Sequence, residues 1–263
     1  MPPEAEVDIE YARSAPGEAL KTLVHDAREE ILVALLENPN LEEPHVTALL
    51  ARLDLSAAVV AAIGEKTAWA AHENIRLALA RHPRTPKRIA LAMARQLFLF
   101  DLARLSLLPS APADIRRAAE EMIVARVPHL PVGEKLTLAR RGPSRVAGAL
   151  LAEGYPQAIK LALDNAHLTE SQVLKVLAKS GVPERSVAAI AQHSKWSHMY
   201  NVRVALVRNP SAPAPVVLAF LPELTLRDLR DLAGLETLAP HVRRYIDAEL
   251  LRRSEAASKP AQA

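Results

Sequence analysis

The chain of 263 residues contains no cysteine, which excludes disulfides and thiolate-bound metal sites and suits a reducing compartment. Aromatic residues make up only 3% of the chain. Its hydrophobic half is therefore built from Ala, Leu, Val and Ile, of which Ala and Leu favour helix over sheet. No apolar run approaches the roughly 20 residues that a membrane helix needs. The start, Met1-Pro2-Pro3-Glu4-Ala5-Glu6, lacks the basic-then-apolar order of a signal peptide, so a cytoplasmic protein is expected. No stretch shows the alternation of a half-buried strand. Catalytic signatures are missing as well: there is no G-x-x-x-x-G-K-[ST], G-x-G-x-x-G, H-E-x-x-H or G-x-S-x-G. His193 and His198, five residues apart, fall off a common helical face, and the adjacent acids Glu29-Glu30, Glu42-Glu43 and Glu120-Glu121 point apart on a helix. These absences predict a protein that is not an enzyme and that has no metal and no cofactor.

What is present is a repeat. Trp69 to Pro86 reads Trp-Ala-Ala-His-Glu-Asn-Ile-Arg-Leu-Ala-Leu-Ala-Arg-His-Pro-Arg-Thr-Pro, and Trp196 to Pro213 reads Trp-Ser-His-Met-Tyr-Asn-Val-Arg-Val-Ala-Leu-Val-Arg-Asn-Pro-Ser-Ala-Pro. The offset of 127 extends outward from there, pairing Pro16 with Pro143, Asn38 with Asn165, Glu43 with Glu170, Ile63 with Ile190 and Asp101 with Asp228. Residues 9–126 match 136–253 at 34 of 118 gap-free positions, the pattern of a tandem duplication. Residues 1–127 then form a first copy, 128–254 a second and 255–263 a disordered tail, with Pro128 to Pro131 as the junction. The copies could form one continuous superhelix or two lobes hinged at that junction; the pattern crosses it smoothly, which favours the first.

The net charge of +3 is unevenly divided. Residues 1–127 carry 15 Lys and Arg against 18 Asp and Glu, and residues 128–263 carry 18 against 12. An acidic first copy precedes a basic second one, which favours an anionic partner on the second half.

Apolar spacing and breakers predict short helices throughout. One amphipathic helix is expected over 19–36, stopped by Asn38-Pro39. Others should start near Glu42, at a cap by Asp54 or Ser56, and at 74. Thr85 should cap a helix that has Pro86 in its first position, followed by helices at 101–107 and 113–126. The second copy should repeat this layout near 133–141, 144–152, 156–164, 169–179, 184–192, 198–208, 213–221, 225–233 and 240–253. Helices this short bury their apolar stripes only when stacked in pairs. The fold class expected is all-α: a right-handed α-solenoid of HEAT-like helical repeats, built from a tandem duplication with period 127.

The stretch Val-Arg-Val-Ala-Leu-Val-Arg-Asn-Pro-Ser-Ala-Pro at 202–213 resembles the leucine-rich-repeat-variant motif, in which α and short 3₁₀ helices alternate. It is also similar to bacterial HEAT-like repeat proteins, most clearly at 31–44, 75–88 and 202–215. The resemblance implies a helical-repeat fold. A variant-type relative that carries an iron–sulfur cluster holds it on cysteines, which this chain lacks.

The candidate partner-binding residues are Trp69, Arg76 and Arg81 in the first copy and Trp196, His198, Tyr200, Arg203 and Arg208 in the second. Trp and Arg are over-represented at binding hot spots. A second reading places each Trp in the space between helix pairs, with Asn74 and Asn201 as caps and the arginines paired to acids of a neighbouring repeat. Basic clusters at Arg81 to Arg88, Arg140-Arg141, Arg243-Arg244 and Arg252-Arg253 suit phosphate if they share a face, or else the carbonyls at helix ends. The function expected is a scaffold binding a protein or peptide partner. The alternative is nucleic-acid binding, with the HEAT-like DNA glycosylases at its extreme.

Overall fold

The computed structural model describes residues 8–258 except Thr237 and Ala239, and among these every regular element is helical. Residues 1–7 and 259–263, at the two ends of the sequence-based reading, lie outside the described residues. The chain divides into two compact units, Met1–Ala125 and Arg126–Ala263, two residues from the boundary that the repeat suggests.

The first unit holds α1 (Ile9–Ser14), α2 (Gly17–Leu23), α3 (Glu29–Leu35), α4 (Glu43–Leu50), α5 (Ala57–Glu65), α6 (Thr67–Ala70), α7 (Glu73–Arg81), α8 (Lys87–Arg95), α9 (Leu99–Leu107) and α10 (Ala113–Arg126), whose last residue opens the second unit. Helices α1, α3, α5 and α8 pack in one row and α4, α7 and α9 in another. The second unit starts with a 3₁₀ turn at Val127–His129, the expected junction. It continues with α11 (Val132–Arg141), α12 (Ser144–Glu153), α13 (Pro156–Leu163), α14 (Glu170–Ala178), α15 (Glu184–Gln192), α16 (Tyr200–Arg208), α17 (Ala214–Phe220), α18 (Leu226–Ala233) and α19 (Pro240–Ser258). Here α11, α13 and α15 form one row, and α12, α14 and α16 the other. The cores are aliphatic, with Ile31, Leu35, Leu49, Ile63, Ile75 and Leu79 fully enclosed in the first unit and Val146, Leu150, Val173, Val187, Ile190 and Leu206 in the second.

Short helices leave a large share of their terminal carbonyls without intrahelical partners, and in both units side chains from later turns supply them. Asn38 Nδ2 donates to Ala12 O (2.9 Å) and Ala15 O (3.1 Å), while its Oδ1 accepts from the Asn40 N–H. Asn165, 127 residues later, does the same with Ala139 O (2.8 Å), Gly142 O (3.0 Å) and the His167 N–H. Asn209 joins Leu177 O and the Ser211 N–H. At the position equivalent to Asn209, His82 Nε2 bonds Arg52 O (2.8 Å) and Nδ1 meets the Arg84 N–H. A carbonyl can only accept and an amide can only donate, so these partners assign the proton to Nε2. Asn38, His82, Asn165 and Asn209 are all buried; a side chain that both ends its own helix and closes an earlier one has no polar atom left over.

Several expectations need correction. The single helix over 19–36 is broken between Leu23 and Glu29. Asp26 accepts from the Arg28 backbone N–H and guanidinium, and Arg52 Nη1 takes Val24 O and Asp26 O; these bonds stabilise a turn that periodicity alone does not register. Thr85 does not cap α8, which starts after Pro86; its buried hydroxyl donates back to Leu79 O (2.7 Å). Ser56, rather than Asp54, caps α5, accepting from the Val59 N–H. The tail expected to be disordered from 255 continues α19 as far as Ser258.

Replacing Asn38 or Asn165 with Ala strands two buried carbonyls, and each variant is expected to lose about 2–3 kcal/mol of stability. Asn74→Ala, which removes an exposed contact, should cost less than about 1 kcal/mol. Urea denaturation of the three variants checks the order.

Candidate partner-binding site

The eight residues singled out by sequence fall around the starts and ends of α7 and α16, one set in each unit. Their environments differ. Trp196 is fully buried, with Nε1 donating to Leu163 O (3.0 Å) and Lys195 Nζ 4.1 Å from the ring centroid. Its counterpart Trp69, on the short α6, is only half-buried. The carbonyl equivalent to Leu163 O is Leu36 O, and in the first unit Lys66 Nζ takes it. The two tryptophans therefore hold equivalent places in the sequence and different ones in space: Trp196 is a core residue, and Trp69 keeps part of its ring at the surface.

Both motif arginines face their own backbones. Arg76 Nη1 donates to Ala70 O (2.8 Å) and Ala71 O (3.0 Å); Arg203 Nε donates to Ser197 O (2.6 Å), and its Nη1 pairs with Glu223. Asn74 and Asn201 are not caps. They sit in the second position of their helices and reach Glu43 Oε1 (2.9 Å) and Glu170 Oε1 (3.0 Å), tying α7 to α4 and α16 to α14. His198 bonds Ser194 O, and Tyr200 donates to Asp228 while accepting from the Thr225 N–H (3.0 Å). Of the eight, only Arg81 and Arg208 are exposed at helix ends with no hydrogen bond or ion pair to another described residue.

The C-terminal basic clusters are also engaged internally. Arg243 donates to Ala233 O and Leu235 O at the end of α18, and Arg253 donates to Leu221 O, Pro222 O and Leu224 O. Glu249 holds Arg252 and Arg253 in place. The Arg252 guanidinium first, and Arg253 after it, hold the Glu249 carboxyl down at about 2. A depressed acid stabilises the fold above its ordinary value of 4.5 and loses that contribution as pH falls toward 2. Acid titration followed by circular dichroism is therefore expected to show a loss of helix across this window, and Glu249→Gln should make that loss smaller.

A second difference between the units concerns acids. Glu73 faces Asp101, whose hydrogen bond raises the Glu73 carboxyl above the usual glutamate range. At the equivalent places stand Tyr200 and Asp228, and there Thr225 first and Tyr200 second hold the Asp228 carboxyl below its usual range. Glu73 thus favours the folded state at low pH and ceases to do so as pH rises through its folded value. Glu73→Tyr, which imports the phenol–carboxylate bond of the second unit, is expected to raise the denaturation midpoint at pH 7 and to have little effect near pH 4.

Sequence inspection named Arg140-Arg141 but did not connect it with a surface. The structure does. Leu136, Thr137, Arg140, Arg141 and Leu161 line a hollow of about 380 Å³ between α11 and α13. Pro156, Ile159, Lys160, Leu163, Arg185, Ala189, Gln192 and His193 line another of about 430 Å³ between α13 and α15. Arg140, Arg141, Lys160 and Arg185 are exposed and have no hydrogen bond or ion pair to another described residue. Lys135 of α11, by contrast, is buried and pairs with Glu153, joining α11 to α12. The offset of 127 carries the signal that could have found this face. The counterparts of the four cations are Arg13, Ser14, Val33 and Ala58, and Arg13 pairs with Glu37 (2.9 Å).

Among the described residues no group of three or more His, Cys, Asp or Glu could hold a metal ion, and no helix is long and apolar enough to cross a membrane. In comparisons with protein-family models, with curated proteins and with solved structures, the chain matches none.

Proposed function

We propose that this chain is a non-enzymatic helical-repeat scaffold that binds a protein or peptide partner. The observation that carries this reading is the row of α11, α13 and α15, where two hollows with aliphatic floors are rimmed by four cations that have no partner among the described residues. Surfaces that combine apolar hollows with unspent charge are suited to recognition. We read the architecture as a right-handed α-solenoid of HEAT-like or leucine-rich-repeat-variant type that arose by tandem duplication. The helix rows and the Asn38 and Asn165 bond sets, offset by 127 residues, support that reading.

Nucleic-acid binding is the alternative, and it draws on the same cations together with Arg208. Phosphate would satisfy the charges, but α11, α13 and α15 carry no Phe, Tyr or Trp on which a base could stack, and the aliphatic floors would be left uncovered. Fluorescence anisotropy with short single- and double-stranded DNA and RNA at two salt concentrations decides between the two. The scaffold reading expects no saturable binding in the micromolar range even at low salt. Micromolar binding that weakens steeply with salt, and that falls on Arg140→Glu, overturns it in favour of nucleic acid.

A further inference from the structure

The two hollows share one helix. Leu161 of α13 lines the first, and Ile159, Lys160 and Leu163 of the same helix line the second. Neighbouring packed helices lie roughly 8–10 Å apart, so a ligand filling both hollows places two apolar groups at about that separation. Each hollow is large enough for an aliphatic side chain, its floor is Leu, Ile, Ala or Pro, and its rim carries two of the cations: Arg140 and Arg141 on one, Lys160 and Arg185 on the other. Two acids belong to the same helices. Glu134 lies on α11, and Glu184 stands at the first position of α15, where the helix dipole favours it. The cations outnumber them two to one.

We infer that this row is the docking groove for an acidic peptide segment carrying two aliphatic side chains, which enter the hollows while its carboxylates meet the guanidinium and ammonium groups at the rims. The inference rests on the scaffold reading and gives the partner its chemistry. Carboxylates suit the forked donors of Arg140, Arg141 and Arg185. The aliphatic side chains are what separate this ligand from any other polyanion, because only they bury the floors of Leu136, Leu161, Ile159 and Leu163. The specificity belongs to the second unit. At the equivalent α1 and α3 surface the lining is Ile9, Arg13, Glu29, Glu30, Val33 and Ala34, where Glu29 and Glu30 would repel the same segment.

The test uses the full chain and a fluorescein-labelled peptide of about 15 residues, made of Asp, Glu, Ala and Leu, with leucines at three- and four-residue spacing on one face. Two comparison probes accompany it: the same peptide with every Leu replaced by Ser, and a single-stranded DNA of equal charge. The expected result is saturable micromolar binding of the leucine peptide. It should weaken by at least about tenfold with the serine peptide, and again by at least about tenfold in the double variant Arg140→Glu/Arg185→Glu. Both positions are exposed, so the variant should keep its helix content, which circular dichroism checks. Equal binding of the serine peptide, tighter binding of the DNA, no saturable binding of the leucine peptide, or no effect of the double variant would each overturn the groove assignment. Leucine-peptide binding that survives the double variant but is lost on Trp69→Ala would remove the groove and leave the scaffold reading standing. DNA binding with the steep salt dependence described above would remove both.

Discussion

A chain that turns after almost every seven to ten residues ends its helices often, and each end leaves carbonyls that water or a side chain must satisfy. In this protein the answer is a side chain placed one to three helices later. Asn38, Asn165, Asn209 and His82 each accept from an amide two residues on and donate to a carbonyl of a preceding element. Arg52, Arg243 and Arg253 perform the donating half alone. Aliphatic packing between rows supplies the driving force of burial, but it is non-directional. The carbonyl ties fix which turn stands over which helix end, and so determine where each surface side chain is displayed.

The same ties account for the fate of most of the conspicuous basic and polar residues. Arg76, Arg203, Tyr200, Arg243 and Arg253 are all spent on internal partners. Arginine is suited to that duty because its planar fork can bridge two carbonyls and its charge favours the negative end of a helix. What distinguishes the α11, α13 and α15 surface is therefore the position of its exposed cations, which have no partner among the described residues and stand beside two apolar hollows. Cations left without an internal partner at the rims of apolar hollows retain their full capacity for an external one.

Much of the helical layout was legible in the sequence, because apolar spacing and Pro-containing turns act locally. The offset of 127 also marked the equivalent positions Asn38 and Asn165, whose bonds prove to be the same. Burial was not legible. Trp69 and Trp196 look alike in sequence, yet the carbonyl that anchors Trp196 is taken in the first unit by Lys66, three residues before Trp69. The break between α2 and α3 was missed for a similar reason: it is stabilised by Arg52, which lies well outside the window in which periodicity is read. The groove was hidden because its cations come from three helices separated by intervening elements of the other row. Only a position-by-position comparison across the offset would have shown that Arg141, Lys160 and Arg185 replace Ser14, Val33 and Ala58.

The carbonyl ties also have a reach. Asn38 spans 23 and 26 residues, His82 30, Trp196 33 and Asn209 32. Bonds confined to this range give a chain of low contact order, in which no element has to wait for a distant partner before it can close. A helix end tied in this way is closed only when a side chain one to three helices later has arrived. Loss of one tie loosens the elements on either side of it and spares those farther away, which makes local opening, not global unfolding, the natural response of this architecture to damage.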